Sequence, residues 1–177
     1  AFATKTSACS TCSEGKFQEQ DNAPSVACKF CDATGKFVNS VAEGCQDCLT
    51  GRYQDKTGIS LTITDCKQCA AGKKWDTTAT SCGDCETGQY QAENAADSVK
   101  CQQCVAGKAY TTTSSACDVC STGKYQDQNT ADSVTCKQCR AGNEWTTTAK
   151  ECTACGIGKY QAENAADSVK CKVCTPG

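Results

Sequence analysis

Twenty cysteines are the residues of this chain whose type and spacing could do chemistry. Every one belongs to a Cys-x-x-Cys pair, and the ten pairs settle into alternating spacings of 16 and 19 residues, a period of 35. Cysteines paired in this way form disulfides, bind zinc or catalyse disulfide exchange. Which of these chemistries applies decides the class of protein and the compartment in which it works.

Zinc is the main alternative to disulfides, because two Cys-x-x-Cys pairs separated by 12 to 17 residues resemble a four-cysteine zinc ribbon. Three features count against it. The chain has no His, its 18 basic and 20 acidic residues are interspersed without a basic patch, and the ten pairs run on without a partner domain. A thioredoxin-like redox site needs a βαβ context, which the chain lacks the hydrophobic runs to build. We therefore expect disulfides, with no metal and no cofactor, in an extracellular or cell-surface protein.

The elements that position these cysteines must be small. Leu, Ile, Val and Phe make up only 18 of the 177 residues, so cross-links must offset the chain entropy that burial cannot. The predicted fold is a small disulfide-rich repeat protein: an elongated rod of tandem Cys-x-x-Cys modules with short irregular β-hairpins and little regular secondary structure. No apolar stretch approaches the length of a membrane span, so we expect no membrane insertion within this segment.

The segments between successive pairs come in two alternating types. The longer reads Cys-x-x-Gly-x-aromatic-Gln and ends in Ser-Val-x-Cys; the shorter reads Cys-x-Ala-Gly-x-x-aromatic-x-Thr-Thr and ends in Cys. We expect the Gly to supply a turn of positive φ or a close backbone approach, and the aromatic to cover a disulfide. The glycines are Gly15, Gly35, Gly51, Gly72, Gly88, Gly107, Gly123, Gly142 and Gly158, and the aromatics are Phe17, Phe37, Tyr53, Trp75, Tyr90, Tyr110, Tyr125, Trp145 and Tyr160.

The period also predicts the domain boundaries. Residues 1–8 are the end of a truncated short loop, and the last repeat is truncated as well. The repeats are 9–44, 45–81, 82–116, 117–151 and 152–177.

Two disulfide connectivities fit the spacing, and the sequence leaves both open. In the interlocked arrangement the pairs that flank a long loop bind crosswise, Cys9 to Cys28 and Cys12 to Cys31. In the ladder arrangement, which we favour because both loop types share the Gly-aromatic pattern, each loop is closed at its own ends. The ladder bonds are Cys12–Cys28, Cys31–Cys45, Cys48–Cys66, Cys69–Cys82, Cys85–Cys101, Cys104–Cys117, Cys120–Cys136, Cys139–Cys152 and Cys155–Cys171. Cys9 and Cys174 are then connectors, whose partners we expect in adjoining repeats of the same polypeptide or in a head-to-tail neighbour.

Other candidate sites recur with the period. The clusters Glu93/Asn94/Asp97, Glu163/Asn164/Asp167 and Asp127/Asn129/Asp132 offer oxygen ligands for Ca²⁺, but a solvated turn with side-chain caps is the simpler interpretation, and no metal site is predicted. Exposed threonines of the short loops could carry O-glycans, although Thr also suits an extended strand. These are Thr77, Thr78, Thr111, Thr112, Thr113, Thr146, Thr147 and Thr148. No Asn-x-Ser/Thr sequon occurs, and without His or a Gly-rich phosphate loop an enzyme is not expected.

The pattern of Cys120, Gly123, Tyr125 and Cys136 resembles the cysteine-rich modules of the tumour necrosis factor receptor family. It is closer to the tandem cysteine-rich repeats beside ephrin-receptor-like segments in large protist proteins. The near-identical copies and His-free composition also resemble ciliate-type surface antigens and other protist coat proteins. These resemblances imply an elongated ectodomain. Receptor modules are less regular and carry six cysteines, a pattern from which this chain departs.

The functional expectation is an extracellular structural protein, a segment of a disulfide-stapled filament, coat or appendage that assembles by repeat packing. Its partners would be copies of itself or adjoining repeats of a longer chain, with O-glycans as a possible addition, and not nucleic acid. The alternative is a ligand-binding, receptor-like or surface-antigen ectodomain stalk. The irregular stretch from Asn39 to Asp65, with its apolar run at Ile59–Ile63, is where a specific contact would be sought; it could equally pack on its own module.

Overall fold

The computed structural model describes residues 9–20 and 26–175. The predicted short-loop end at residues 1–8 lies outside this part of the chain. Within it, nine disulfides each close one loop at its own ends, which is the ladder arrangement, and we number the loops in chain order. The long loops are loop 1 (Cys12–Cys28), loop 3 (Cys48–Cys66), loop 5 (Cys85–Cys101), loop 7 (Cys120–Cys136) and loop 9 (Cys155–Cys171). The short loops are loop 2 (Cys31–Cys45), loop 4 (Cys69–Cys82), loop 6 (Cys104–Cys117) and loop 8 (Cys139–Cys152).

The fold is small and disulfide-rich with little regular secondary structure, as the composition predicted. In each hairpin, the first strand follows the glycine of a loop, and the second strand lies in the Cys-x-x-Cys pair that ends the same loop. The hairpin and the disulfide therefore close the loop together. Six antiparallel two-stranded sheets form in the described residues: β1 (Lys36–Val38) with β2 (Cys45–Asp47), β3 (Lys73–Lys74) with β4 (Gly83–Asp84), β5 (Lys108–Ala109) with β6 (Asp118–Val119), β7 (Lys124–Tyr125) with β8 (Lys137–Gln138), β9 (Asn143–Glu144) with β10 (Thr153–Ala154), and β11 (Lys159–Tyr160) with β12 (Lys172–Val173). Loops 1, 3 and 5 make the same closure with single bridges, Phe17–Lys29, Tyr53–Lys67 and Tyr90–Gln102.

The chain divides into two compact units, Ala1–Asp84 with Glu93–Lys100, and Cys85–Ala92 with Cys101–Gly177. Loop 5 therefore contributes residues to both units.

Each unit has cores in which disulfide sulfur packs with one or two apolar side chains. In the first unit, Phe17 packs with Cys31 and Val38, and a second cluster joins Cys69, Cys82 and Val99, with Tyr53 and Trp75 packed against it. In the second unit, Cys104, Cys117 and Val134 form the corresponding cluster, with Tyr90, Tyr110 and Ala131 around it. Most loop aromatics therefore cover a disulfide as predicted, while Tyr160 remains 48% exposed.

The irregular apolar run in loop 3 packs within its own unit. Leu61 is 1% exposed and shares a cluster with Phe37, Cys48 and Cys66, whereas Ile59 and Ile63 are exposed. A single 3-10 turn follows at Ile63–Asp65, and the Thr62 backbone N–H donates to the Asp65 carboxylate at 2.8 Å. Leu61 therefore completes a core within its own unit.

Candidate functional site

A recurring contact within each compact unit joins a loop to the loop of the same type two positions earlier in the chain. In loops 5, 7 and 9, the serine of the Ser-Val-x-Cys ending lies directly over the glycine of the earlier long loop, whereas loop 3 covers Gly15 with Ser60 and Leu61. A β-carbon on Gly51 would lie 2.5 Å from the Ser98 nitrogen, and one on Gly123 would lie 2.2 Å from the Ser168 nitrogen. Real β-carbons do not approach backbone atoms so closely, so glycine is required at these positions by space as well as by its φ of about +92 to +93°.

The serines that dock are themselves held in the left-handed region. Ser98 and Ser133 have φ of 51° and Ser168 has φ of 50°, a conformation that costs a non-glycine residue about 1–2 kcal/mol. The surrounding packing must hold them there. At Ser98, a hydrogen bond contributes to this, because the Ser98 N–H donates to the Gly51 carbonyl at 3.2 Å.

Short loops dock in the same manner but less tightly. A β-carbon on Gly35 would lie 3.1 Å from Thr78 Oγ1, and one on Gly107 would lie 3.3 Å from Thr148 Oγ1. The half-buried threonine at this position therefore belongs to the docking contact.

Backbone hydrogen bonds join each loop to the next one as well. The N–H after the aromatic of a long loop donates to a carbonyl in the following short loop, and the short loop donates in turn to the next long loop. The first set is Gln18 to Val41, Gln54 to Thr78, Gln91 to Thr113 and Gln126 to Thr148. The second set is Val38 to Leu61, Trp75 to Val99, Tyr110 to Val134 and Trp145 to Val169.

A buried glutamine in each of four long loops is the functional residue to which sequence reasoning assigned no role. Gln54 and Gln126 are 1% exposed. The Gln126 amide Nε2 donates to the Lys108 carbonyl at 2.9 Å, and its Oε1 accepts from the Gln128 N–H. Gln54 makes the equivalent bonds to Lys36 and Lys56. In these two loops, the side-chain amide thus forms hydrogen bonds with backbone groups of its own loop and of the preceding short loop. The signal was present in the sequence, since this Gln follows the aromatic in every long loop, also as Gln18, Gln91 and Gln161.

The aspartates of the acidic turns form hydrogen bonds and an ion pair with side chains of earlier loops and linkers. Asp97 Oδ1 accepts from Gln68 Nε2 at 2.9 Å and pairs with Arg52 Nε at 3.1 Å. The same aspartate–glutamine bond, at 2.8 Å, joins Gln103 to Asp132 and Gln138 to Asp167. Among the described residues, no group of three His, Cys, Asp or Glu side chains is placed to hold a metal ion.

Cys9 and Cys174 are free and exposed. That they connect to adjoining repeats stays a prediction.

The threonines proposed as glycan sites fall into two environments. Thr77, Thr111, Thr112, Thr146 and Thr147 are exposed, whereas Thr78, Thr113 and Thr148 are half-buried in the docking contacts. Only the exposed group leaves room for a sugar.

Compared with known proteins, the chain matches no protein-family model, and no curated protein is significantly similar to it. Its tandem disulfide-rich repeats are nevertheless plain from the structure. Nine disulfides indicate a secreted or otherwise extracellular protein, since the cytosol keeps thiols reduced. Over the described residues, no helix is both long enough and apolar enough to cross a membrane.

Proposed function

We propose that this chain is an extracellular structural protein, a segment of a filament, surface coat or appendage that assembles by packing of its repeats. The observation that carries the proposal is the periodic docking contact, in which loops of one type bind one another through an equivalent glycine and, in most loops, an equivalent serine or threonine. A surface that already binds its own copies along the chain suits assembly.

The disulfides support the mechanical part of the proposal. Closing a loop of about 15 residues contributes about 3 kcal/mol in the chain-entropy model, and the two cysteines of each loop are separated by 13 to 18 positions in the sequence. Each module is therefore stabilised locally, as in other repeat proteins. Local covalent closure suits a material that must resist proteases and denaturants.

Electron microscopy of the native material tests this function. Ordered fibres or sheets with an axial repeat commensurate with the 35-residue module would support it. Isolated, flexible stalks without lateral order would contradict it and favour the receptor-like ectodomain.

A further inference from the structure

A polar cleft lies between loops 7 and 8, at residues other than those of the glycine contacts. Its volume is about 450 Å³, within the range of about 300–1,000 Å³ that is usual for small-ligand sites. The half-buried ring of Tyr125 supplies an apolar wall. The polar lining comes from the linker between the two loops and from loop 8 itself: Lys137, Gln138, Arg140, Asn143 and Glu151. We call these six residues the loop 8 cleft.

Loop 8 differs from loops 4 and 6, the two other short loops of the same length, at three positions that line this cleft. In place of Arg140 and Glu151 the other two loops carry uncharged side chains, and in place of Asn143 both carry lysine. The equivalents are Ala70, Ser81 and Lys73 in loop 4, and Val105, Ala116 and Lys108 in loop 6. Three departures of loop 8 from its repeat therefore meet in one cleft.

The cleft lies on a side of the short loop that stays exposed when further loops pack on it. Val105 is 51% exposed and Ala116 is also exposed, although loop 8 docks on the glycine of their loop. The same two positions are exposed in loop 4. The accessibility of Arg140 and Glu151 is therefore a property of the repeat, because docking covers the glycine and leaves this side uncovered.

The charges that line the cleft are not matched by one another. Lys137 pairs with Asp127 at 3.6 Å. Arg140 and Glu151, in contrast, form no ion pair with any residue that the structure describes. A guanidinium without an anionic partner favours a ligand that carries a carboxylate, which it can bind through two parallel hydrogen bonds.

Asn143 supplies an uncharged acceptor beside this guanidinium. Its Nδ2 donates to the carbonyls of Arg140 and Ala141 at 3.4 and 3.2 Å, an orientation that leaves Oδ1 as an acceptor for a ligand. In loops 2 and 4 the equivalent residue is a lysine that forms an ion pair across the hairpin, whereas Asn143 lies opposite Ala154. The cleft thus has an amide oxygen where those two loops have a cation whose charge is already matched.

We propose that the loop 8 cleft binds an acidic saccharide, through a sugar unit that carries one carboxylate. Arg140 binds the carboxylate, while the Glu151 carboxylate and Asn143 Oδ1 accept hydrogen bonds from ring hydroxyls. Two cations beside one carboxylate suit a ligand with a single negative charge, since a polyanion would be repelled by Glu151 and Asp127. An acidic peptide side chain has no hydroxyls to donate to the two acceptors. This inference goes beyond the assembly function and does not depend on it.

Nuclear magnetic resonance titration of the oxidised 177-residue chain tests the site. The probe is a tetrasaccharide of alternating glucuronate and N-acetylglucosamine, and we expect it to shift the backbone amide signals of Tyr125, Arg140 and Glu151. The same tetrasaccharide with its carboxylates reduced to alcohols should bind at least about tenfold more weakly, the loss expected for one charge-assisted contact.

The decisive variant carries Arg140→Ala with Glu151→Ser, the residues that loop 4 has at these exposed positions. It should bind the tetrasaccharide at least about tenfold more weakly than the parent chain. The matched control is Lys150→Thr, which also takes the loop 4 residue and also removes an exposed cation, but outside the cleft. This control should bind like the parent chain.

Four outcomes would overturn the proposal. The first two are the absence of shifts at the cleft in the parent chain, and equal binding by the parent chain and the double variant. The third is equal binding of the carboxylate and carboxyl-reduced forms. The fourth is binding of tetraglutamate or inorganic phosphate as tight as that of the tetrasaccharide, which would show a site for anions in general.

Discussion

Gly123→Ala should destabilise the second unit far more than Gly158→Ala, although the two glycines hold the same position in consecutive long loops. Both lie in the second unit with positive φ, +93° and +77°. The new methyl group at Gly123 would lie 2.2 Å from the Ser168 nitrogen and 2.9 Å from the Asp167 carbonyl carbon, whereas the one at Gly158 meets nothing. Comparing the two variants therefore separates the cost of disrupting the docking contact from the cost of placing a non-glycine residue at positive φ.

The magnitudes follow from two contributions. An L-residue at positive φ costs about 1–2 kcal/mol, partly offset by about 0.4–1 kcal/mol from the less flexible unfolded chain, so Gly158→Ala should lose about 1 kcal/mol. Gly123→Ala carries the same loss and a further ~1–3 kcal/mol for forcing atoms into occupied space. With a urea slope of about 2 kcal/mol/M, a 2 kcal/mol difference separates the two midpoints by about 1 M.

Trp145 provides the signal for this measurement. Its Nε1 donates to the Lys124 carbonyl at 3.0 Å, one residue from Gly123. The only other tryptophan, Trp75, belongs to the first unit, so a Trp75→Phe background leaves a single reporter in the second unit. Urea titration of the oxidised variants by fluorescence gives the midpoints. Equal midpoints for Gly123→Ala and Gly158→Ala would refute the docking contact.

Two further predictions concern side chains of the same modules. Gln126→Leu leaves the Lys108 carbonyl without its donor and should lower the free energy of unfolding by about 1–3 kcal/mol in the same titration. Gln161→Leu removes an amide whose side-chain atoms have no partner and should lower it by less than about 0.5 kcal/mol. Equal losses in the two variants would contradict this role of the buried amide. If the native protein carries O-glycans, peptide mass spectrometry should find them at exposed Thr147 and not at Thr148, which is half-buried and whose carbonyl accepts from Gln126; a glycan on Thr148 would show that the loop does not dock as described.

Much of the local structure could be predicted from the sequence, because it depends on residues close along the chain. The cysteine spacing predicted small closed loops, and the glycine of each loop predicted a turn: Gly15, Gly72 and Gly158, for example, all have positive φ. The aromatic residue two or three positions after the glycine predicted which side chain packs over the disulfide. These features repeat with the period, so one module could be interpreted from all its copies.

The contacts between modules could not be predicted in this way. A repeat shows that Ser98 and Ser133 are equivalent, but it does not show which earlier glycine either one touches. The same limit applies to the carboxylate of Asp97, interpreted as part of a solvated turn, which binds Gln68 in a linker 29 residues away. The buried Gln126 was missed because a polar side chain is normally placed at the surface. Its burial depends on backbone groups from neighbouring loops that only the folded arrangement brings together.

Every disulfide in the described residues closes a single loop at its own ends, and all the docking contacts are made by loops closed in that way. Tryptic mapping of denatured, non-reduced protein tests it directly, because cleavage after Lys29, Lys67 and Lys137 separates the two cysteines of a linker. We expect Cys31 to remain linked to the peptide that contains Cys45, and Cys139 to the peptide that contains Cys152. Recovery of Cys31 joined to the peptide that contains Cys12, with Cys9 bound to Cys28, would contradict the account.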